Sequence, residues 1–387
     1  MKYNILMLDL SSQHAKIKTE IDAAIHEVIA SSAFIKGEQV YAFENELANY
    51  LAVKHVIGCG NGTDALQISL MALGLKKGDE IIVPAYAYAA AIEVVLLLGL
   101  IPIMVDVDPN TFNINTDLIE DKITNKTKAI IPVDLFGQSA NMEKILRIAN
   151  QYNLFVVEDN AQSLGAVYTF ANGEKKRTGC MGNIGTTSFF PSKNLGCMGD
   201  GGAIFTNNDE LAKKIRMIAN HGQERQYVHD VIGTNSRLDS LQAAILRVKL
   251  KYLNEYEMKR NQIADFYDSY FKNNTSITIP YRDKKSSHVF HQYTIQLSEN
   301  INRDEVKLRL QNIGIASMVY YPIQLWKQKA YSHIKQNRDA DFPTSNMIRN
   351  TVLSLPIHTE MNVEIQTNIC VNLINIIEAL QLENGSN

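Results

Sequence analysis

The 387-residue chain has four cysteines, Cys59, Cys180, Cys197 and Cys370, and no C-x-x-C pair. None stands at metal-ligand spacing from a histidine, so neither a disulfide framework nor a metal site is expected, and reduced thiols in a cytosol are. Excess charge of one sign is missing as well. Lys and Arg number 38 against 41 Asp and Glu, a net charge of -3, which gives no reason to expect a nucleic-acid partner. Long apolar runs are also absent. The longest, Ala89 to Met104, is broken by Glu93, Gly99 and Pro102, and a membrane span needs about 20 apolar residues. The first thirteen residues alternate polar and apolar types without a basic segment and an apolar run, so no signal peptide and a cytoplasmic location are expected. Repeats and low-complexity segments do not occur.

Hydrophobic residues make up 45% of the chain, enough for a sizeable core. A single core stops growing at roughly 250–300 residues, so two domains are expected, 1–250 and 251–387. Short apolar runs read as strands at His55–Ile57, Ile81–Val83, Pro102–Val107, Ala129–Val133, Leu154–Val157, Thr187–Phe190 and Ala203–Phe205. Helical patterns lie between them at Thr63–Leu73, Ala90–Leu98, Met142–Gln151 and Asp209–Asn220, the last with Asn207 and Asn208 as cap candidates. This alternation predicts an α/β fold, a largely parallel sheet covered by helices on both faces. One long helical pattern from Asp239 to Tyr270 leads into the second domain, an α+β mixture with a strand at Gln292–Gln296 and helices at Arg303–Gln311 and Val363–Leu380. The tail Glu383–Asn387 is expected to be disordered.

Three segments could carry chemistry. Gly58-Cys59-Gly60-Asn61-Gly62-Thr63-Asp64-Ala65 follows a strand and opens a helix. Small residues there let backbone N–H groups approach an anion, and a helix N-terminus favours negative charge. The segment reads as a phosphate site, although a plain strand-to-helix turn explains such a motif on its own. It also fits G-x-G-x-x-A with Glu80 further on, as in a nicotinamide dinucleotide site. Next, Glu158-Asp159 ends an apolar strand, where parallel sheets place their ligands; the plainer reading is a solvated helix cap. Finally, Ser188-Phe189-Phe190-Pro191-Ser192-Lys193 runs into glycine-rich Gly199-Asp200-Gly201-Gly202. A lysine that bonds a carbonyl must be partly desolvated, yet most lysines lie on surface loops. Phosphate turn, strand-end acid and lysine follow one another in the order a pyridoxal-phosphate (PLP) site requires. An NAD oxidoreductase would use the first and leave the others idle.

These residues are recognisable. GNGTDAL, VEDNAQSLGA, SFFPSKNLG, GDGGAIFTN, HGQ and NSRLDSLQAAIL together resemble the DegT/DnrJ/EryC1/StrS family of sugar-nucleotide aminotransferases, from Asp9 to about His358. The resemblance implies the aspartate-aminotransferase-like fold of type I and PLP as cofactor. It implies that Lys193 carries the cofactor and moves the proton, and that Asp159 faces the pyridine nitrogen. It places Gln162 at the cofactor's hydroxyl edge and Tyr88 against the ring face. Gly62, Thr63 and Ser188 would bind the phosphate, joined by Asn235 from the neighbouring subunit of a homodimer. Family members that dehydrate sugars carry histidine where this chain has Lys193, so amino transfer from L-glutamate, with 2-oxoglutarate leaving, is implied.

The stretch Gln223–Ala244, SFFPSKNLG and Val319-Tyr320-Tyr321-Pro322-Ile323 most resemble the branch that aminates C3 of a UDP-2-acetamido-2-deoxy-3-keto-hexuronic acid. Arg237 is then a candidate for the substrate's carboxylate or pyrophosphate, or else a salt bridge at a helix start. Tyr321 is a candidate sugar contact. Ala87, Asp134 and Tyr320 depart from the family pattern, where Thr, His and His respectively are common. A C3 or C4 ketone on a dTDP- or UDP-linked 6-deoxyhexose, and a PLP-binding regulatory relative without catalysis, stand as alternatives.

Overall fold

Seven short strands form the central sheet of the computed structural model, which describes residues 4–334 and 338–385. They are β1 (His55–Cys59), β2 (Glu80–Pro84), β3 (Ile101–Val105), β4 (Thr127–Ile130), β5 (Phe155–Asp159), β6 (Ile184–Ser188) and β7 (Gly202–Thr206). Their spatial order is β1-β7-β6-β5-β4-β2-β3. From β6 to β3 all neighbours run parallel, and β7 runs antiparallel to both β1 and β6. Nearly every residue of these strands is buried, which is why they read as continuous apolar runs rather than alternating ones. Helices Gly62–Ala72, Ala90–Leu97 and Met142–Tyr152 connect them, and Asp209–Ile218 follows the last strand.

β7 matters most for the site. Gly202, its first residue, pairs with Cys59 at the end of β1 and with Ser188 at the end of β6. The carboxyl ends of β1 and β6 therefore flank one glycine, and β5 delivers Asp159 opposite Thr186 one strand further along.

A three-stranded antiparallel sheet, Ile277–Thr278, Tyr293–Leu297 and Val352–Leu355, lies in the C-terminal part with helices Arg303–Asn312 and Val363–Gly385. Helix Leu253–Phe271 ties this part together. Its buried Arg260 donates to the carbonyls of Phe290 and Ile357 at 3.1 and 3.0 Å, and Tyr267 donates to that of Pro356 at 2.9 Å. The beginning of the chain joins it too, through a bridge between Ile5 and Ile315.

Several elements differ from the sequence expectation. The strands expected at Ala129–Val133 and Pro102–Val107 are Thr127–Ile130 and Ile101–Val105, and helices Leu10–Lys16, Lys18–Ser31 and Glu38–Leu51 have no counterpart in it. The long helix over Asp239–Tyr270 is two helices, Ser240–Leu250 and Leu253–Phe271, separated at Lys251 and Tyr252. The strand expected at Thr187–Phe190 is Ile184–Ser188, because Gly185 is thin enough to pass the backbone of Gly179 and so belongs to the sheet. Residues Glu383 to Gly385 continue the last helix rather than forming a loose tail; Ser386 and Asn387 lie outside the described residues. Of the two cap candidates, Asn208 caps its helix by accepting from the N–H of Leu211 at 3.0 Å, whereas Asn207 accepts from that of Lys54.

Candidate active site

A cleft of about 780 Å³ opens where β1, β5 and β6 end, within the ~300–1,000 Å³ of small-molecule sites. Its first wall is the turn after β1. Asn61 caps helix Gly62–Ala72 by accepting from the N–H of Asp64 at 2.8 Å, and the N–H of Gly60 donates to Ser236 Oγ at 2.9 Å. Two glycines at this corner have no room for a side chain. A Cβ at Gly62 would lie 2.7 Å from Ser188 Cβ, and one at Gly202 would lie 2.5 Å from the carbonyl carbon of Asn61. Gly62, Thr63 and Ser188 thereby share one corner of the cleft with the free N–H groups of a helix start, an arrangement suited to an anion.

Asp159 and Lys193 occupy the floor. The N–H of Asp159 donates to Pro132 at 2.9 Å, and its Oδ1 accepts from that of Ala161 at 3.1 Å. Burial pushes this carboxyl up, while the Ala161 N–H and the Lys193 charge pull it down. Lys193 lies on the loop leaving β6, where its N–H closes a turn onto Phe190 at 2.8 Å. The residue opens partly to the cleft, yet protein surrounds its amine. Burial lowers the amine to about 8, and the Asp159 carboxylate opposes that shift.

Gln162 is held at both ends of its amide: Oε1 accepts from the N–H of Phe136 at 2.8 Å, and Nε2 donates to the Tyr321 hydroxyl at 3.2 Å. Tyr321 contacts Tyr88 with ring centroids 6.2 Å apart. Tyr88 is 62% exposed, a large aromatic at the cleft mouth.

Eight of the ten sequence candidates thus meet in one cleft. Asn235 and Arg237 do not. Asn235 is exposed, bridged to Asn220. Arg237 donates to Asn220 Oδ1 at 3.0 Å, its Nε is buried without a partner, and it takes part in neither a cleft contact nor a helix-start salt bridge. Lys193 is the one lysine or arginine among the described cleft residues. Of the departures from the family pattern, Ala87 is packed in the core, Asp134 is buried and Tyr320 lines the cleft. Glu80, the candidate ribose partner of a dinucleotide, bonds the hydroxyls of Thr124 and Thr127 at the far end of β2.

The sequence reading passed over His291 and Gln292, which also line the cleft. Their signal was slight: a histidine two residues before an alternating strand. A buried polar atom without a protein partner, His291 Nδ1, belongs to a residue that lines the cleft with Lys193. Unsatisfied groups at such depth are uncommon and point to a ligand. An anion corner built on glycines at a helix start, a desolvated amine and a strand-end carboxyl fit PLP.

A type I fold with this site defines a PLP-dependent aminotransferase. The chain belongs to the DegT/DnrJ/EryC1/StrS aminotransferase family, whose model matches residues 15–374. It is 45% identical over 371 residues to the UDP-2-acetamido-2-deoxy-3-oxo-D-glucuronate aminotransferase of Pseudomonas aeruginosa, covering 96% of this chain and 100% of that protein. It is 44% identical over 368 residues to a pleiotropic regulatory protein of Geobacillus stearothermophilus, covering 94% and 96%. The crystal structure of ntda from Bacillus subtilis with bound cofactor PMP superposes with a TM-score of 0.87 at 32% identity, covering 98% of this chain and 86% of that one. No helix among the described residues is long and apolar enough to cross a membrane.

Proposed function

We propose that this enzyme moves the amino group of L-glutamate to C3 of a UDP-linked 2-acetamido-2-deoxy-3-keto-hexuronic acid. The observation that carries the proposal is a desolvated Lys193 within the field of the Asp159 carboxylate, on the floor of a cleft whose corner is a glycine-lined helix start. The likeness to the Pseudomonas enzyme supplies the substrate.

The cofactor, when bound, supplies an aldehyde carbon and an electron-withdrawing ring. Lys193 would hold it by the amine and then act as acid and base; with its amine lowered to about 8, both protonation states are populated near neutral pH. Asp159 would hold the proton on the ring nitrogen. Gly62, Thr63 and Ser188 would take the phosphate, Gln162 the hydroxyl edge, Tyr88 the ring face and Tyr321 the sugar. Glutamate leaves as 2-oxoglutarate in the first half of the cycle, and the keto sugar accepts the amino group in the second.

A homodimer with shared sites is part of the same reading. Asn235 and Arg237 lie away from their own cleft, which has a single lysine and no arginine among its described residues. The neighbouring hairpin of Gln223–Arg225 and Val228–His229, with Tyr227 81% exposed in its turn and Ile232 87% exposed just after it, would carry them to a second copy. Arg237 would meet the substrate's carboxylate or pyrophosphate and Asn235 the cofactor phosphate. The division into domains 1–250 and 251–387, and a cytoplasmic location, complete the proposal. Tyr320 in the cleft favours a second substrate for trial, a dTDP- or UDP-linked keto-6-deoxyhexose.

The test is a visible absorbance spectrum before and after L-glutamate, with Lys193→Ala alongside. The wild-type band should bleach and the variant should show no such change. Mass spectrometry of the two sugar nucleotides after turnover then separates the substrates. A protein that binds PLP but never responds to glutamate would instead favour a regulatory role.

A further inference from the structure

Beneath the cleft floor, Asp134, Ser163 and Asn160 form a chain of side chains whose protons can be counted. Asn160 Nδ2 donates to the Thr178 carbonyl at 3.1 Å, which fixes the amide with Oδ1 toward Ser163 Oγ, 2.5 Å away. An amide oxygen only accepts, so the single hydroxyl proton of Ser163 goes to Asn160. Asp134 Oδ2 lies 3.2 Å from the same Ser163 Oγ. One hydroxyl proton cannot serve both oxygens; the shorter contact takes it, and the longer one then needs Asp134 as its donor.

The surroundings agree. Asp134 is completely buried, and its Oδ1 has one backbone donor, the N–H of Ala140 at 2.8 Å. The charged groups that act on it are Glu158 and Asp159, both acids, and burial pushes its carboxyl well up. Burial pushes Glu158 up as well, to about 7, but it accepts three backbone N–H groups, from Gly179, Met181 and Gly182, which oppose that shift. Between Asp134 and Glu158, the acid with fewer backbone donors takes the proton.

This chain of bonds borders the turn that presents two cleft residues. The N–H of Asp134 donates to the Asp159 carbonyl at 3.0 Å, and that of Ser163 to the Asn160 carbonyl at 3.2 Å. Two residues beyond Asp134, the N–H of Phe136 holds Gln162.

We propose that Asp134 is a positioning residue that works as a neutral acid: its carboxyl proton starts a relay through Ser163 to Asn160 that locks the Asp159–Ser163 turn, and leaves Asp159 as the charge facing the cleft. The relay stands on hydrogen-bond geometry alone; the claim about Asp159 rests on the function proposed above.

Asp134→Asn tests it, because an amide can donate to Ser163 and accept from Ala140 as the neutral acid does. An acid kept neutral in the fold but ionised when unfolded costs stability as pH rises above its unfolded value, by up to about tenfold in the folding equilibrium per pH unit. The melting temperature of Asp134→Asn holoenzyme relative to wild type should therefore climb between pH 5 and pH 8. Its visible cofactor band should titrate at the wild-type pH. Asp134→Ala, which removes the donor, should slow the glutamate half-reaction, and the Asn variant should restore most of it. A melting difference that stays flat or falls with rising pH would overturn the neutral acid. A shift of the band's midpoint by about a pH unit in Asp134→Asn, which is the effect of a lost neighbouring charge, would overturn the claim about Asp159. Should Asp134→Ala not fold, the Asn comparison decides. Should the protein prove to be no aminotransferase, the melting comparison still decides the relay.

Discussion

Covalent capture of PLP by the apoenzyme should follow the neutral fraction of Lys193. With the amine at about 8, that fraction is about a tenth at pH 7 and about nine-tenths at pH 9, so the rate should rise roughly tenfold and level off. An ordinary lysine near 10.4 would give roughly a hundredfold rise over the same interval, with no plateau. Stopped-flow absorbance after mixing apoenzyme with PLP at fixed ionic strength separates the two. The causes make a second prediction of defined sign. Burial lowers the amine and the Asp159 carboxylate raises it, so Asp159→Asn should move the plateau to lower pH. A hundredfold rise without a plateau would refute the desolvation argument, and a plateau unmoved in Asp159→Asn would refute the charge pairing.

Gly62→Ala forces a Cβ to within 2.7 Å of Ser188 Cβ; overpacking of this kind costs about 1–3 kcal/mol, so the PLP dissociation constant measured by fluorescence titration should rise about tenfold or more. Tyr321→Phe removes the acceptor for Gln162 Nε2, a loss worth about 0.5–1.5 kcal/mol; steady-state kinetics should show this mainly as a raised KM for the sugar nucleotide. Lys249 is buried, donates to the Gly196 carbonyl at 2.6 Å and has its amine lowered by burial to about 8. The unfolded chain holds that proton up to higher pH, so stability should rise between about pH 8 and pH 10 and be lost as pH falls through that window, by on the order of 3 kcal/mol in total. Lys249→Met should flatten this rise in melting temperature.

The sheet was legible because each of its strands is covered on both faces, so apolar runs bounded by turns mark them directly. Its strand order was not, because β7 enters between β1 and β6 through contacts distant in sequence. The break at Lys251 and Tyr252 was hidden since both helices keep a helical spacing and neither Pro nor Gly separates them. In the site, Asp159 at a strand end and Lys193 on the loop after one stood out through their order behind the phosphate turn. His291 and the Asp134–Ser163–Asn160 chain did not, since burial and hydrogen-bond partners decide their state, and neither shows in local pattern. Thr63 and Ser188 lie in separate motifs, and only the pairing of Gly202 with both Cys59 and Ser188 explains why they share a corner.

A cleft whose described residues include one lysine and no arginine must still accommodate a phosphate, the two carboxylates of glutamate and a charged sugar nucleotide. If the compensating cations arrive from a second chain, turnover per subunit becomes a function of protein concentration. Diluting the enzyme would weaken ligand retention before any loss of helical signal, and excess cofactor would slow that decay by holding the two copies together.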